Sequence, residues 1–186
     1  MNSNTIILLV LVAVVVAVAI FAVVRYFQNQ RTRHLRDRFG PEYARLAEET
    51  GSQRAAEKRL AEREKRAEKF NIHPLSAEDR KRFSAQWQTV LAEFVENPKE
   101  SLAHADDLLG TVMAARGYPV ADFEQRTADL SVDQPLVVQH YHAAHGIALA
   151  DRAGEASTED LRQAMIHYRA LFDELASEQP QAHAAE

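Results

Sequence analysis

From Thr5 to Val24 the chain runs twenty residues without a charged side chain, and Ile6 to Val24 contains only Ile, Leu, Val, Ala and Phe. At about 1.5 Å per helical residue, twenty residues span about 30 Å, the thickness of a bilayer's hydrocarbon core. Val and Ile are mediocre helix formers in water. A lone segment in lipid, however, can satisfy its backbone N–H and C=O groups only within itself, so helix is imposed on it. The reading is a transmembrane helix over residues 5–24, preceded by a short tail at residues 1–4.

An uncleaved anchor explains this stretch better than a secretory signal. A signal requires a basic n-region, an apolar run of about 7–15 residues and a small-residue cleavage site. Met1 to Asn4 carries no charged side chain, the apolar run is longer, and Ala17-Val18-Ala19 lies inside the run rather than after it. Arg25, Arg31, Arg33, Arg36 and Arg38 follow the segment with only Asp37 opposing them. Positive flanks stay on the cytoplasmic side, which predicts an N-terminus outside and the bulk of the chain in the cytoplasm of a single-pass inner-membrane protein. Tyr26 and Phe27 fall at the level of an aromatic belt. The five arginines could also attract anionic lipid headgroups, at about 1 kcal/mol each near the surface. Ala13 and Ala17 form a small-xxx-small pair, a spacing that chance readily gives in a run this rich in Ala and Val.

Charge is unevenly distributed. Residues 1–70 carry 13 Lys and Arg against 8 Asp and Glu, whereas residues 71–186 carry 9 against 19. The acidic part is a poor nucleic-acid binder, since that role rewards clustered Lys and Arg. The chain has no Cys, which excludes disulfides, Cys-ligated metal and thiol nucleophiles. The scarcity of alternating apolar runs argues for an all-α protein: a transmembrane helix, a charged helical stalk and a four- to five-helix bundle.

Residues 25–70 read as a basic juxtamembrane segment and stalk. Gly40-Pro41 breaks the helical pattern, a new helix starts at Pro41, and Thr50 with Gln53 three residues on forms a capping-box pattern for the next. Gln53 to Lys69 is almost entirely Ala, Glu, Lys, Arg and Gln around Leu60. Two readings compete: a coiled coil using Ala56, Leu60, Ala67 and Phe70, or a solvated helical spacer. With fewer than three heptads and mostly Ala in the seam, the spacer is favoured.

Residues 71–177 read as the acidic helical bundle, and residues 178–186 as a flexible tail. Ser76 caps a helix over Ala77–Glu96 with Phe83, Trp87, Val90, Leu91, Phe94 and Val95 on one face, ended by Asn97-Pro98. Pro98 starts a second helix to Arg116, with Leu102, Ala105, Leu109, Val112 and Met113 inward and Gly117 as its stop. A short third helix begins at Val120 or Asp122 and ends at Leu130, burying Phe123 and Leu130. Ser131 and Asp133 then cap a fourth, with Pro135 in its first turn and Leu136 or Val137, Tyr141, Ala144, Ala148 and Leu149 toward the core. Ser157, with Asp160 at the third position after it, caps the last helix, Thr158–Ser177, which carries Leu161, Met165, Tyr168, Phe172 and Leu175 inward. Short connections imply mostly antiparallel neighbours.

Histidine offers the only suggestive chemistry. His142 and His145, three apart, can share a helix face as metal ligands would, whereas His140 and His142 diverge by about 200 degrees. Neither Glu-x-x-His nor His-Glu-x-x-His occurs, and there is no phosphate loop or Gly-x-Ser-x-Gly elbow. No catalytic, cofactor-binding or metal residue is therefore assigned, with His142 and His145 kept as the weak metal candidates. The leading reading is a non-enzymatic, membrane-tethered interaction or scaffold module that touches lipid through its anchor and a protein through its acidic domain. A small-molecule- or metal-binding bundle using His140 to His145, an enzyme among its forms, is the alternative. Homo-oligomerisation through anchor and stalk is a further option.

Gly117-Tyr118-Pro119, Asp122-Phe123-Glu124-Gln125-Arg126 and Ala128-Asp129-Leu130-Ser131-Val132-Asp133 resemble an uncharacterised family of bacterial single-pass membrane-anchored helical proteins with no assigned activity. So do Arg38-Phe39-Gly40-Pro41-Glu42-Tyr43 and His167-Tyr168-Arg169-Ala170-Leu171-Phe172. The resemblance covers most of the chain. It implies a bacterial single-pass protein and brings no functional residues with it.

Overall fold

The computed structural model describes residues 3–177, with side chains described from residue 11 onward. The described residues form eight helices and no strand. Their contacts divide the chain into two compact units, residues 1–38 and 39–186. The tail expected at 178–186 lies outside the described residues.

The first unit consists of α1 (Ser3–Phe39), an unbroken helix of 37 residues whose last residue falls in the second unit. It is long and apolar enough to cross a membrane. Its large apolar side chains from Leu11 to Val24 are between 46% (Val24) and 66% (Phe21) exposed, so none of this surface is covered by protein. The basic continuation from Arg25 is helical too, as its high-propensity Arg and Gln residues favour. Tyr26 and Phe27 are exposed and meet edge to face at 5.9 Å.

In the second unit, Gly40 and Pro41 end α1 and open α2 (Pro41–Thr50). Gly51 closes α2 at φ 63°, a left-handed turn that Gly adopts without steric cost. The chain then reverses into α3 (Gln53–Ala67), which packs on α2. The cap of α3 is Ser52, whose Oγ accepts from Ala55 N, not Thr50. Thr50 is the last residue of α2, and its hydroxyl bonds back to Leu46 O at 2.8 Å. A Thr inside the final turn is spent on its own helix.

α4 (Ala77–Glu96), α5 (Pro98–Ala115), α6 (Phe123–Asp133), α7 (Pro135–Arg152) and α8 (Thr158–Ala176) follow. The broadest packing joins α7 to α8, α4 to α5 and α5 to α8. Ser76, Asp122 and Ser157 cap α4, α6 and α8, and Ser157 with Asp160 forms a full capping box. Ser131 and Asp133 instead lie within α6, and Pro135 starts α7 after Gln134, so the expected cap there is corrected. The α6 pattern persists past Leu130 because Ser131 and Val132 are both buried and extend its inward face.

The core of these helices includes Phe83, Trp87, Leu102, Leu109, Met113, Tyr141, Tyr168 and Phe172, with the Trp87 and Phe172 rings stacked at 4.8 Å. All five inward residues named for the last helix are buried, as are those of the second. Val95 is corrected: it is 83% exposed, lying about 120 degrees around α4 from Phe83 at 100 degrees per residue. Leu136 and Leu149 on α7 are also exposed, and Val138 takes the inward position beside Tyr141 and Ala144. Gly117, at φ 94°, lets the backbone after α5 pass against Asn71 O, where any Cβ would collide.

The charged segment at 53–69 is not the solvated spacer favoured by its composition. Ala56 and Leu60 are fully buried, and α3 packs on both α2 and α6. The contacts place α3 in the same compact unit as α4 to α8, residues 39–186.

Candidate functional site

Polar groups of four helices converge around Glu42. Pro41 fixes the first turn of α2 and leaves Glu42 in that turn, where the helix dipole favours a carboxylate. One turn on, Arg45 grips it with both arms: Nε donates to Oε2 at 2.7 Å and Nη2 to Oε1 at 2.7 Å. The reversal at Gly51 brings α3 back along α2, so that Arg63 Nη1 donates to Glu42 Oε1 at 2.8 Å and to Ser131 Oγ of α6 at 3.1 Å. His142 of α7 places Nε2 3.7 Å from Glu42 Oε2. A second pairing joins the same elements, Arg66 Nε to Asp129 Oδ1 at 3.0 Å, which Gln125 also reaches at 2.7 Å.

Glu42 and Asp129 are each only 2% exposed. Burial alone would push the Glu42 carboxyl up, yet the guanidinium hydrogen bonds of Arg45 and Arg63 outweigh it and hold it below the ordinary carboxylate range. His142 moves the other way from a paired histidine. Burial, with Arg45 beside it, pushes its ring below the ordinary value against the pull of Glu42. Ser131 donates to Ala128 O at 2.7 Å while accepting from Arg63, so its hydroxyl is engaged on both counts.

The two metal candidates are not brought to a common centre. His142 faces Glu42, whereas His145 stacks on Phe123 with ring centroids 3.5 Å apart. Among the described residues no group of three His, Asp or Glu side chains is placed to hold a metal ion. His140 turns to α8 instead, where its Nδ1 lies 2.9 Å from His167 Nδ1. Arg25, Arg31, Arg33, Arg36 and Arg38, the residues expected beside a membrane, all lie exposed along α1 after its apolar part.

Two further cations, the partly buried Arg126 and the buried Arg116, pack among the helices. Arg126 donates to Asp106 Oδ2 at 2.8 Å and lies over the Tyr141 ring at 5.5 Å. Gly110 leaves room for it, since a Cβ there would sit 2.8 Å from Arg126 Nη1. Arg116, 1% exposed, donates to Leu175 O at 2.9 Å near the C-terminus of α8, where a cation suits the unpaired carbonyls. On the outside, a shallow open groove between α4 and α5 is floored by Val90 and Leu108 and rimmed by Glu93, His104 and Asp107.

Sequence reasoning missed the Glu42 cluster. Its signal was present in the stripe Ala56, Leu60, Arg63 and Ala67, which reads as a seam with a charge in it. An arginine at an inward position points to a buried carboxylate elsewhere in the chain, since a lone buried charge is not tolerated.

No family model, no curated protein and no solved structure matches this chain, and its chemistry is read from its own residues.

Proposed function

We propose that this chain is a membrane-tethered, non-enzymatic interaction module, with α1 crossing the inner membrane of a bacterium and residues 39–186 presented to a partner protein in the cytoplasm. The observation that carries the reading is the uncovered apolar surface of α1, where Val, Ile, Leu and Phe point outward on every side from Leu11 to Val24. Lipid is the medium that such a surface requires. The arginines beyond it, with Asp37 as the sole acid before Phe39, favour the N-out orientation. Residues 39–186 carry 17 Lys and Arg against 26 Asp and Glu, so this helical unit stands off an anionic leaflet rather than lying on it.

Photo-crosslinking residues placed at the exposed positions Gln88, Thr111 and Gln139, followed by mass spectrometry from intact cells, tests the interaction. A recurring protein neighbour is expected, and the absence of any specific neighbour removes the reading. A reporter fused after Glu186 that is active only outside the cytoplasm overturns the orientation.

A further inference from the structure

Within residues 39–186, α2 and α3 are held differently from the other helices. The continuous apolar core draws on residues from Leu75 to Ala176. Tyr43, Leu46, Ala56 and Leu60 of the hairpin are buried but lie outside it, as do Phe39 and, in α6, Val132. Across the contacts of α2 with α7 and α3 with α6, charged groups carry the polar contacts: Arg66 pairs with Asp129, Arg63 donates to the neutral Ser131 hydroxyl, and Glu42 faces the His142 ring at 3.7 Å. Charged groups taken into a partly buried contact recover little more than their desolvation cost, so this seam adds less net stability than apolar packing of the same extent. Elements with few core contacts open at lower free energy than the whole fold.

We infer that the α2–α3 hairpin is a latch released by acid, leaving α6 and α7 as a unit while α4 and α5 stay packed. The groups that face His142 are Glu42 and Arg45 from α2, Arg63 from α3, and Glu124 from α6, with the Phe123 ring edge-on at 5.7 Å. In the closed state the half-buried ring is neutral beside two guanidinium groups. A proton added there is a third cation around one carboxylate, and opening lets the ring hydrate. The ring's affinity for protons is depressed when closed, so the closed form has its full advantage above the ordinary histidine value near 6.5 and loses it as pH falls below that. Glu42, also depressed when closed, acts in the same direction at lower pH, below about 4.5. Both groups therefore favour release on acidification. His167 faces His140 across the α7–α8 contact, and His104 of α5, held above the ordinary histidine value by Glu93 of α4 at 2.7 Å, gains charge across the α4–α5 contact on acidification, so the proper reference for the hairpin is the same residues in the His142→Gln chain.

Amide hydrogen exchange of the full chain in lipid nanodiscs at pH 7.5 and 5.5, corrected for intrinsic exchange, tests this. Protection over residues 41–67 is expected to fall several-fold, up to about tenfold, between the two pH values, the limit for one histidine of ordinary value near 6.5 in the open state read at pH 5.5. His142→Gln is expected to remove that difference, whereas Glu159→Gln on the exposed face of α8 leaves it intact. The proposal is overturned if α2–α3 and α5 lose protection in parallel, if α2–α3 stays protected, or if H142Q keeps the pH response. Should H142Q leave the hairpin open at both pH values, NMR titration of the His142 ring in the unaltered chain decides. A midpoint below the ordinary value that coincides with loss of hairpin protection supports the latch, and an ordinary midpoint refutes it.

Discussion

α1 and α8 both carry abundant apolar side chains, yet one leaves them uncovered and the other hides them. In α8, Leu161, Met165, Tyr168, Phe172 and Leu175 fall on one stripe and are buried, while Arg162, Arg169 and Asp173 occupy the opposite side. In α1 the apolar residues from Leu11 to Val24 occur at every angle and remain exposed. The arrangement around the axis, rather than the apolar content, decides which medium a helix needs. A stripe can be satisfied by neighbouring helices, whereas a surface apolar on all sides requires a bulk apolar phase. The α2–α3 hairpin is a third case, with a sparse stripe of its own and charges along its seam.

The strongest way to break this comparison is to charge the middle of α1. Val12→Arg together with Val16→Arg costs about 2.5–3.5 kcal/mol per arginine at the centre of a spanning helix and should shift the chain from membrane pellet to supernatant or degradation. Unchanged membrane retention would mean that the apolar surface has another use. In the protein-covered region, Leu109→Ala removes a fully buried side chain and should lower stability by about 2–5 kcal/mol in urea denaturation. In the hairpin, Glu42→Gln leaves Arg63 without its carboxylate and Arg45 with only Glu49, 3.0 Å away. The expected loss is about 2–4 kcal/mol, below the 3–5 of a wholly buried pair because Arg45 is 40% exposed and can hydrate. Its loss should appear first as faster hydrogen exchange in α2 and α3. The smallest effect belongs to Ser157→Ala, about 1 kcal/mol from the α8 capping box, read as a shift in the urea midpoint with an unchanged slope.

The helices that bury a periodic stripe were legible in the sequence almost to the residue. α4 begins after Ser76 and ends at Asn97-Pro98, and α8 begins after Ser157, because caps and prolines act locally. The α3 segment was not, since its partners lie far along the chain: Arg63 meets Ser131 and Arg66 meets Asp129, more than sixty residues away. Composition alone describes such a helix as solvated. The Glu42 cluster was hidden for the same reason. The surroundings of His142 and His145 were hidden too, since Phe123 of α6 stacks on the His145 ring and meets the His142 ring edge-on, while Glu42 of α2 faces His142.

The most direct test of the account concerns α1 in its native setting. Membranes from cells making the unaltered chain are washed with alkaline carbonate, which strips peripheral proteins, and the pellet is then treated with detergent. The account predicts that the full-length chain resists carbonate and enters solution only with detergent. Release of the full-length chain by carbonate would contradict it.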